Sequence, residues 1–190
     1  IPLALGSTWD EAAVEKMAEI SAKEAAVSGL HVTFSPMVDL VRDPRWGRVM
    51  ESTGEDPLLN SRLAAAMVRG YQGENLKEDN WRVAACVKHF AAYGGALAGR
   101  DYNTVDMSER QLREMYLPGY KAGLDAGAKL VMTSFNTVDG IPATGNQWLF
   151  RDVLRNEFGF EGVVISDWGA IKELIPHGVA KDEKEAAELA

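Results

Sequence analysis

The sequence predicts an α/β protein with a (β/α)8 TIM-barrel-like fold, of which it carries about five βα units. Short, nearly continuous apolar runs alternate with amphipathic runs, as expected for parallel strands covered by helices on both faces. No glycine-rich phosphate loop follows the first apolar run, which argues against a doubly wound nucleotide-binding sheet. Polar residues follow the apolar runs repeatedly, which is where barrels place functional residues.

Five apolar runs are predicted to be strands. They are Pro2–Leu5, Val32–Val38, Val83–Val87, Leu130–Ser134 and Val163–Ser166. A complete barrel needs eight strands and typically about 250 residues. We therefore expect residues 1–190 to be a segment of one barrel domain.

The helices between these strands carry start signals. Thr8–Glu11 and Ser108–Gln111 have the form of capping boxes, and Asn146 is a candidate cap for a helix that runs to Asn156. Pro57 to about Gln72 is predicted to form another helix. Pro118 is expected to kink the helix in which it lies, because proline lacks a backbone N–H.

Composition excludes several classes of function. The chain has 190 residues, 46% of them hydrophobic and 25% charged, with a formal net charge of -8. An acidic chain without a Lys/Arg cluster is a poor nucleic-acid binder, and no apolar run reaches membrane-spanning length. The single cysteine, Cys86, is predicted to be a buried thiol. The three histidines lack paired ligand spacing, so neither a metal nor a cofactor is expected.

Four features near the predicted strand ends are candidates for a functional site. Two of them are pairs of neighbouring side chains of different chemistry. Asp167 and Trp168 follow the last apolar run, where an acid beside an indole suits a sugar, although Asp167 could instead simply cap a following helix. Lys88 and His89 follow the third run. The alternative for this pair is an exposed lysine beside a histidine satisfied within the core.

The other two features are loops. Arg42–Arg48 reads RDPRWGR, and arginine forks suit carboxylates or vicinal hydroxyls. The alternative is a structural loop held by ion pairs to Asp43 and Glu51. Arg100–Asn103 lies in a glycine-rich segment that could fold over the mouth of a barrel.

Four ordered motifs carry a resemblance to a known family. They are SPMVDLVRDPRWGRVMESTGEDP, VAACVKHFAAYG, the long segment that begins NTVDMSERQLREMYLPGY, and FGFEGVVISDWGAIKEL. Together they resemble the barrel domain of glycoside hydrolase family 3, in its β-glucosidase branch, from Ile1 to about Gly178. The sequence around VKHFAAYG is most similar to that of bacterial periplasmic members of this family.

The resemblance implies a role for six residues. Asp167 matches the catalytic nucleophile, in the family's S-D-W/H motif. The substrate-binding positions of the family are matched by Arg48, Lys88, His89, Arg100 and Trp168. The implied activity is retaining, exo-acting hydrolysis of terminal β-linked sugars through a covalent glycosyl-Asp intermediate. The implied partner is a β-linked oligosaccharide or glycoside, and the implied location is periplasmic or secreted.

The resemblance also implies structural elements of the barrel and a further domain that lie outside residues 1–190. The family's first barrel strand would precede Ile1, and the acid/base Glu of this branch would lie in a C-terminal domain beyond Ala190. The isolated segment is therefore expected to be inactive. Phe135 stands where the family often has Tyr. The N-acetylglucosaminidase branch is set aside, because the catalytic His that follows its Lys-His-Phe motif is absent here.

Other activities stay open at this point. A β-xylosidase or a related family activity would use the same residues. A non-catalytic sugar-binding barrel would keep Lys88, His89 and Arg48 but would not need Asp167. A lyase or aldolase barrel could use Lys88 as a Schiff-base amine.

Overall fold

The computed structural model describes all residues from Ile1 to Ala190. The α-helices are α1 (Pro2–Gly6), α2 (Glu11–Val27), α3 (Pro57–Gln72), α4 (Glu109–Gln111), α5 (Leu117–Asp125) and α6 (Glu183–Leu189). The strands are β1 (Val32–Thr33), β2 (Ala84–Phe90), β3 (Thr104–Val105), β4 (Leu130–Thr133), β5 (Thr137–Val138), β6 (Ile141–Pro142) and β7 (Val163–Ile165). Two π-helical segments are Leu112–Tyr116 and Trp148–Glu157, and five short 3-10 turns are Val49–Glu51, Tyr93–Gly95, Leu97–Gly99, Ala143–Gly145 and Lys172–Leu174.

The main sheet is parallel, with strand order β1-β2-β4-β7. A helical segment connects each strand to the next, which is the repeating unit of a TIM-barrel-like α/β fold. The predicted fold class is confirmed. A smaller sheet, β3-β5-β6, includes the hairpin that follows β4. All four strands of the main sheet run in the same direction, so their carboxyl ends meet at one edge.

Helices cover the outer face of the main sheet. The helix α3 packs against both α2 and α5, and α3 and α5 in turn contact β2. Gly70 permits the close approach of α3 to α2, because a Cβ at this position would lie 2.6 Å from the Cβ of Ala18. Cys86 is buried in β2, as predicted, and burial raises the pKa of its thiol to about 12. No helix has both the length and the apolar character that crossing a membrane requires.

The prediction of a strand at Pro2–Leu5 is wrong, because this run forms α1. Pro2 supplies the fixed φ favoured at the first helical position, and the leucines and alanine that follow are strong helix formers. The main sheet therefore has four strands rather than five. The next predicted strand, Val32–Val38, is paired only over Val32–Thr33 and again at an isolated bridge between Met37 and Lys88. Pro36 cannot donate to the ladder between these points.

The other start signals are largely correct. The side chains of Ser108 and Asn146 accept hydrogen bonds from Gln111 N and Leu149 N, as predicted. Helix α2 begins later than predicted, with Asp10 rather than Thr8 as its cap. Directly before α5, whose second residue is Pro118, the expected irregularity takes the form of the π-helical segment Leu112–Tyr116.

Candidate active site

Polar side chains converge at the carboxyl edge of the main sheet. Lys88 and His89 are near the end of β2, Asn136 follows β4, and Asp167 follows β7. Asp39 lies beyond β1, just after the bridge between Met37 and Lys88. Because the strands are parallel and adjacent, residues distant in sequence reach a common site.

The Asp167 carboxylate accepts one hydrogen bond from the backbone and faces the His89 ring. Its Oδ1 accepts a hydrogen bond of 2.7 Å from the backbone N of Trp168, and its Oδ2 lies 3.4 Å from Nε2 of His89. The side chain is 17% exposed. The alternative prediction, that Asp167 caps an α-helix, is wrong, since the segment after it forms turns and the 3-10 turn Lys172–Leu174. A fixed and accessible carboxylate at a strand end can act on a bound ligand.

His89 is buried, with 1% of its side chain exposed, and its Nδ1 is paired with a carboxylate. Its Nδ1 lies 2.7 Å from Oδ2 of Asp39, which also accepts a 3.1 Å hydrogen bond from the backbone N of His89. The Tyr120 hydroxyl lies 2.6 Å from Oδ1 of Asp39 and also contacts the carbonyl of His89. The alternative prediction, a histidine whose hydrogen bonds are satisfied within the core, is therefore correct for Nδ1. The other ring nitrogen, Nε2, faces Asp167.

Asp39 and Tyr120 were not among the predicted site residues. Asp39 had a signal in the sequence, because it is a carboxylate that follows an apolar run. Tyr120 had none. It lies in α5, remote in sequence from both His89 and Asp39, and only the packing of α5 on β2 brings its hydroxyl to the strand end.

Arg48 forms a two-pronged ion pair with Glu51. Its Nε and Nη2 donate hydrogen bonds of 2.7 and 2.8 Å to the two carboxylate oxygens. This pairing raises the pKa of Arg48 and lowers that of Glu51, which the charges of Lys88 and His89 lower further. The predicted ion pair to Glu51 is therefore present.

The exposed Arg45 forms the other predicted ion pair of this loop. Its guanidinium lies 2.6 Å from Asp43, and the hydrogen bonds between them lower the pKa of Asp43 to about 2. Arg48, by contrast, has its guanidinium 5.7 Å from the centre of the Tyr93 ring, which itself packs edge-on against His89. Of these two arginines, Arg48 is the one associated with the site.

A small aromatic cluster supports the base of the site. Trp46 and Phe135 pack against Tyr93, with ring centroids 5.0 and 5.9 Å away. Met37, Val41 and Ala170 complete the cluster. Phe135 occupies a buried apolar position, and burial raises the pKa of the neighbouring Tyr93.

The loop that follows β2 is hydrogen-bonded to this cluster and packs against it. Nε1 of Trp46 donates a 3.1 Å hydrogen bond to Asp101, and the Tyr102 ring lies 4.4 Å from that of Phe135. Arg100 is exposed on the loop and forms no ion pair. Trp168, 76% exposed, adjoins Asp167. The structure thus links Arg48, Lys88, His89 and Asp167 through contacts and charges. Trp168 is the exposed neighbour of Asp167, and Arg100 is exposed on the loop after β2.

A family model described as "Glycosyl hydrolase family 3 N terminal domain" matches residues 1–190. This chain belongs to glycosyl hydrolase family 3. The periplasmic β-glucosidase of Salmonella typhimurium is 50% identical over all 190 residues, and a β-xylosidase of Formosa agariphila is 40% identical over 98% of the chain. The chain covers 25% and 26% of these two proteins, so it spans about a quarter of the curated relatives it matches.

Solved family 3 structures show the same fold. The crystal structure of a β-glucosidase from Listeria innocua in complex with glucose is 66% identical, with a TM-score of 0.98. The match covers 100% of this chain and 26% of that one. At such identity, the arrangement of strand ends in this family 3 chain is expected to follow that of its structural relative closely.

Proposed function

We propose that this chain forms the nucleophile-bearing part of a retaining, exo-acting β-glucosidase. The observation that carries the proposal is the Asp167 carboxylate, which accepts a hydrogen bond from Trp168 N and faces His89 at a strand end of a family 3 barrel. The relatives support the choice of sugar. The Listeria innocua enzyme is named a β-glucosidase, and its structures are described in complex with glucose and with laminaribiose.

The reaction would proceed by two displacements. An oxygen of Asp167 attacks the anomeric carbon while the glycosidic C–O bond breaks, and a second carboxylic acid protonates the departing oxygen. Water then attacks the glycosyl-Asp ester, the second carboxylate takes its proton, and Asp167 is released. Retention of configuration requires the two carboxyl groups to lie about 5–5.5 Å apart.

Nearby carboxylates of this chain are already engaged. Asp39 is fully buried against His89 and Tyr120, and Glu51 is paired with Arg48. Neither is free to exchange a proton with a leaving group. We therefore propose that the acid/base is a Glu from a C-terminal domain of the same parent protein, and that the first barrel strand is likewise supplied by that protein. The fraction of each relative that this chain covers supports a larger whole.

The proposed substrate contacts follow the charges of the site. Lys88 and Arg48 are cationic and half-buried, and together with Nε2 of His89 they would receive the hydroxyls of the terminal sugar. Trp168 offers an exposed ring face to the next sugar, and Arg100 would contact it from the loop. An indole face suits the apolar C–H surface of a pyranose.

A β-xylosidase is the second candidate, because the Formosa agariphila relative carries that name at 40% identity. Glucose and xylose rings differ by one hydroxymethyl group, so the same nucleophile would serve both. The proposed location is periplasmic or secreted, which rests on the name of the Salmonella typhimurium relative. Fractionation of the source cells would test this location.

The test is covalent trapping in the parent protein. An activated 2-deoxy-2-fluoro-β-glucoside should add one sugar, and peptide mapping should place it on Asp167. Asp167→Ala should stay unlabelled. Labelling by the corresponding xyloside alone would identify a xylosidase. Binding of sugar without labelling by either probe would contradict hydrolysis and favour a sugar-binding barrel. Reductive trapping of Lys88 by borohydride in the presence of a carbonyl substrate would indicate Schiff-base chemistry.

A further inference from the structure

We propose that Asp39 and Tyr120 are positioning residues for the reaction at Asp167, acting through His89. The inference rests on the proposed function, since it assigns a purpose to the groups behind the nucleophile. Neither residue reaches the substrate side of the site. Asp39 is fully buried and Tyr120 is nearly so.

The hydrogen bonds of Asp39 fix the ring of His89 in one orientation. Its Oδ2 accepts hydrogen bonds from both the backbone N and Nδ1 of His89. One carboxylate oxygen therefore binds the main chain and the side chain of His89 together. An acceptor-only group at Nδ1 requires the imidazole to carry a proton there. With the ring held in this way, Nε2 is the nitrogen that faces Oδ2 of Asp167.

Tyr120 holds Asp39 from the other side. Its hydroxyl lies within hydrogen-bond distance of Oδ1 of Asp39 and of the His89 carbonyl. The hydroxyl therefore links the helix α5 to the carboxyl end of β2 at a point where all three groups are shielded from water. A carboxylate buried at this depth requires such partners, because an unpaired buried charge strongly destabilises a fold.

The consequence concerns the geometry of attack. Oδ1 of Asp167 is set by the backbone of Trp168, whereas the side chain facing Oδ2 is His89, which is set by Asp39. If the ring rotated, the imidazole would no longer face Oδ2, and the carboxylate of the nucleophile would be free to turn. Misplacement of a reacting group by about 1 Å can cost on the order of 100-fold in rate.

Three variants of the parent protein separate positioning from folding. Asp39→Ala removes the acceptor, and Tyr120→Phe removes only the hydroxyl. Asp39→Asn is the conservative variant. Its amide oxygen can accept from both N–H groups of His89, while its NH2 donates to Tyr120, whose proton then goes to the His89 carbonyl. Tyr116→Phe is the matched control, because this buried tyrosine forms no hydrogen bond to Asp39 or His89.

The readout is active-site titration with the activated 2-fluoro-β-glucoside, which gives both the labelled fraction and the rate constant of labelling. We expect the labelled fraction to stay full in all variants. The rate constant should fall on the order of 100-fold in Asp39→Ala and roughly tenfold in Tyr120→Phe. Asp39→Asn should recover most of the rate, and Tyr116→Phe should match the wild type.

Three results would overturn the inference. One is an unchanged rate constant in Tyr120→Phe and Asp39→Ala. Another is a reduced labelled fraction with a normal rate constant, which indicates a role in folding alone. The third is a loss in Asp39→Asn as large as in Asp39→Ala. Failure of the wild-type protein to label at Asp167 is a separate outcome, and it would refute the proposed function itself.

Discussion

Nε2 of His89 lies 3.4 Å from Oδ2 of Asp167, although the two residues belong to strands that β4 separates in the sheet. The contact spans the carboxyl edge of the sheet and joins a buried imidazole to an accessible carboxylate. Asp167 is therefore one end of a line of groups that continues through His89 to Asp39. Three segments of the chain thus contribute to the surroundings of the Asp167 carboxylate.

Replacement of Asp167 should remove turnover and leave a cavity that a small anion can enter. We expect Asp167→Ala to lower kcat by more than about 10⁴-fold, as loss of a catalytic nucleophile does. Azide should partly restore the release of an activated aryl leaving group and yield the α-glycosyl azide, which chromatography with NMR identifies. Asp152→Ala, at an exposed helical position, is the control. Full turnover without azide would refute the nucleophile assignment.

The exposed Trp168 should affect substrate affinity but not stability. Trp168→Ala is expected to raise KM for disaccharides about fivefold, since roughly 1 kcal/mol of contact with the second sugar is lost. The free energy of unfolding should change by no more than about 0.5 kcal/mol. Trp9→Ala is a matched control, because Trp9 is 73% exposed at the other end of the sequence. Equal KM values in the two variants would exclude Trp168 from the substrate site.

The Arg48–Glu51 pair should make stability depend on acid pH. The hydrogen bonds from Arg48 lower the folded-state pKa of Glu51 below its unfolded value of 4.5. The pair therefore stabilises the fold fully above that unfolded value, and this contribution is lost as pH falls through the lower folded pKa. Thermal midpoints of the parent protein from pH 7 to pH 3 should fall less steeply in Glu51→Gln than in the wild type. Parallel curves would contradict this assignment.

The buried Phe135 should contribute to stability through the aromatic cluster. Phe135→Ala is expected to lower the free energy of unfolding by about 3–5 kcal/mol, because it leaves a cavity beside Tyr93 and Ala170. Denaturant titration of the parent protein measures this loss. Leu58→Ala, at an exposed position of α3, should cost far less. A loss of under 1 kcal/mol in Phe135→Ala would show that the cluster repacks around the gap.

Local sequence signals predicted much of the fold. Runs of a few residues each predict the α/β class, the capping hydrogen bonds of Ser108 and Asn146, and the strands β2, β4 and β7. The error at Pro2–Leu5 has a physical reason. A short apolar run has no periodicity that separates strand from helix, so only the proline at its start and the helix propensity of the residues after it favour α1.

The sequence by itself determined which chemical groups this protein carries at its strand ends, because a strand, its terminal residue and a cap are set within a few neighbouring positions. Asp167, Lys88 and His89 are identifiable in this way. Only the tertiary structure decided what those groups contact. The order of the parallel strands set His89 beside Asp167, and the packing of α5 brought Tyr120 to Asp39. Such contacts depend on topology and side-chain packing, which no local pattern encodes.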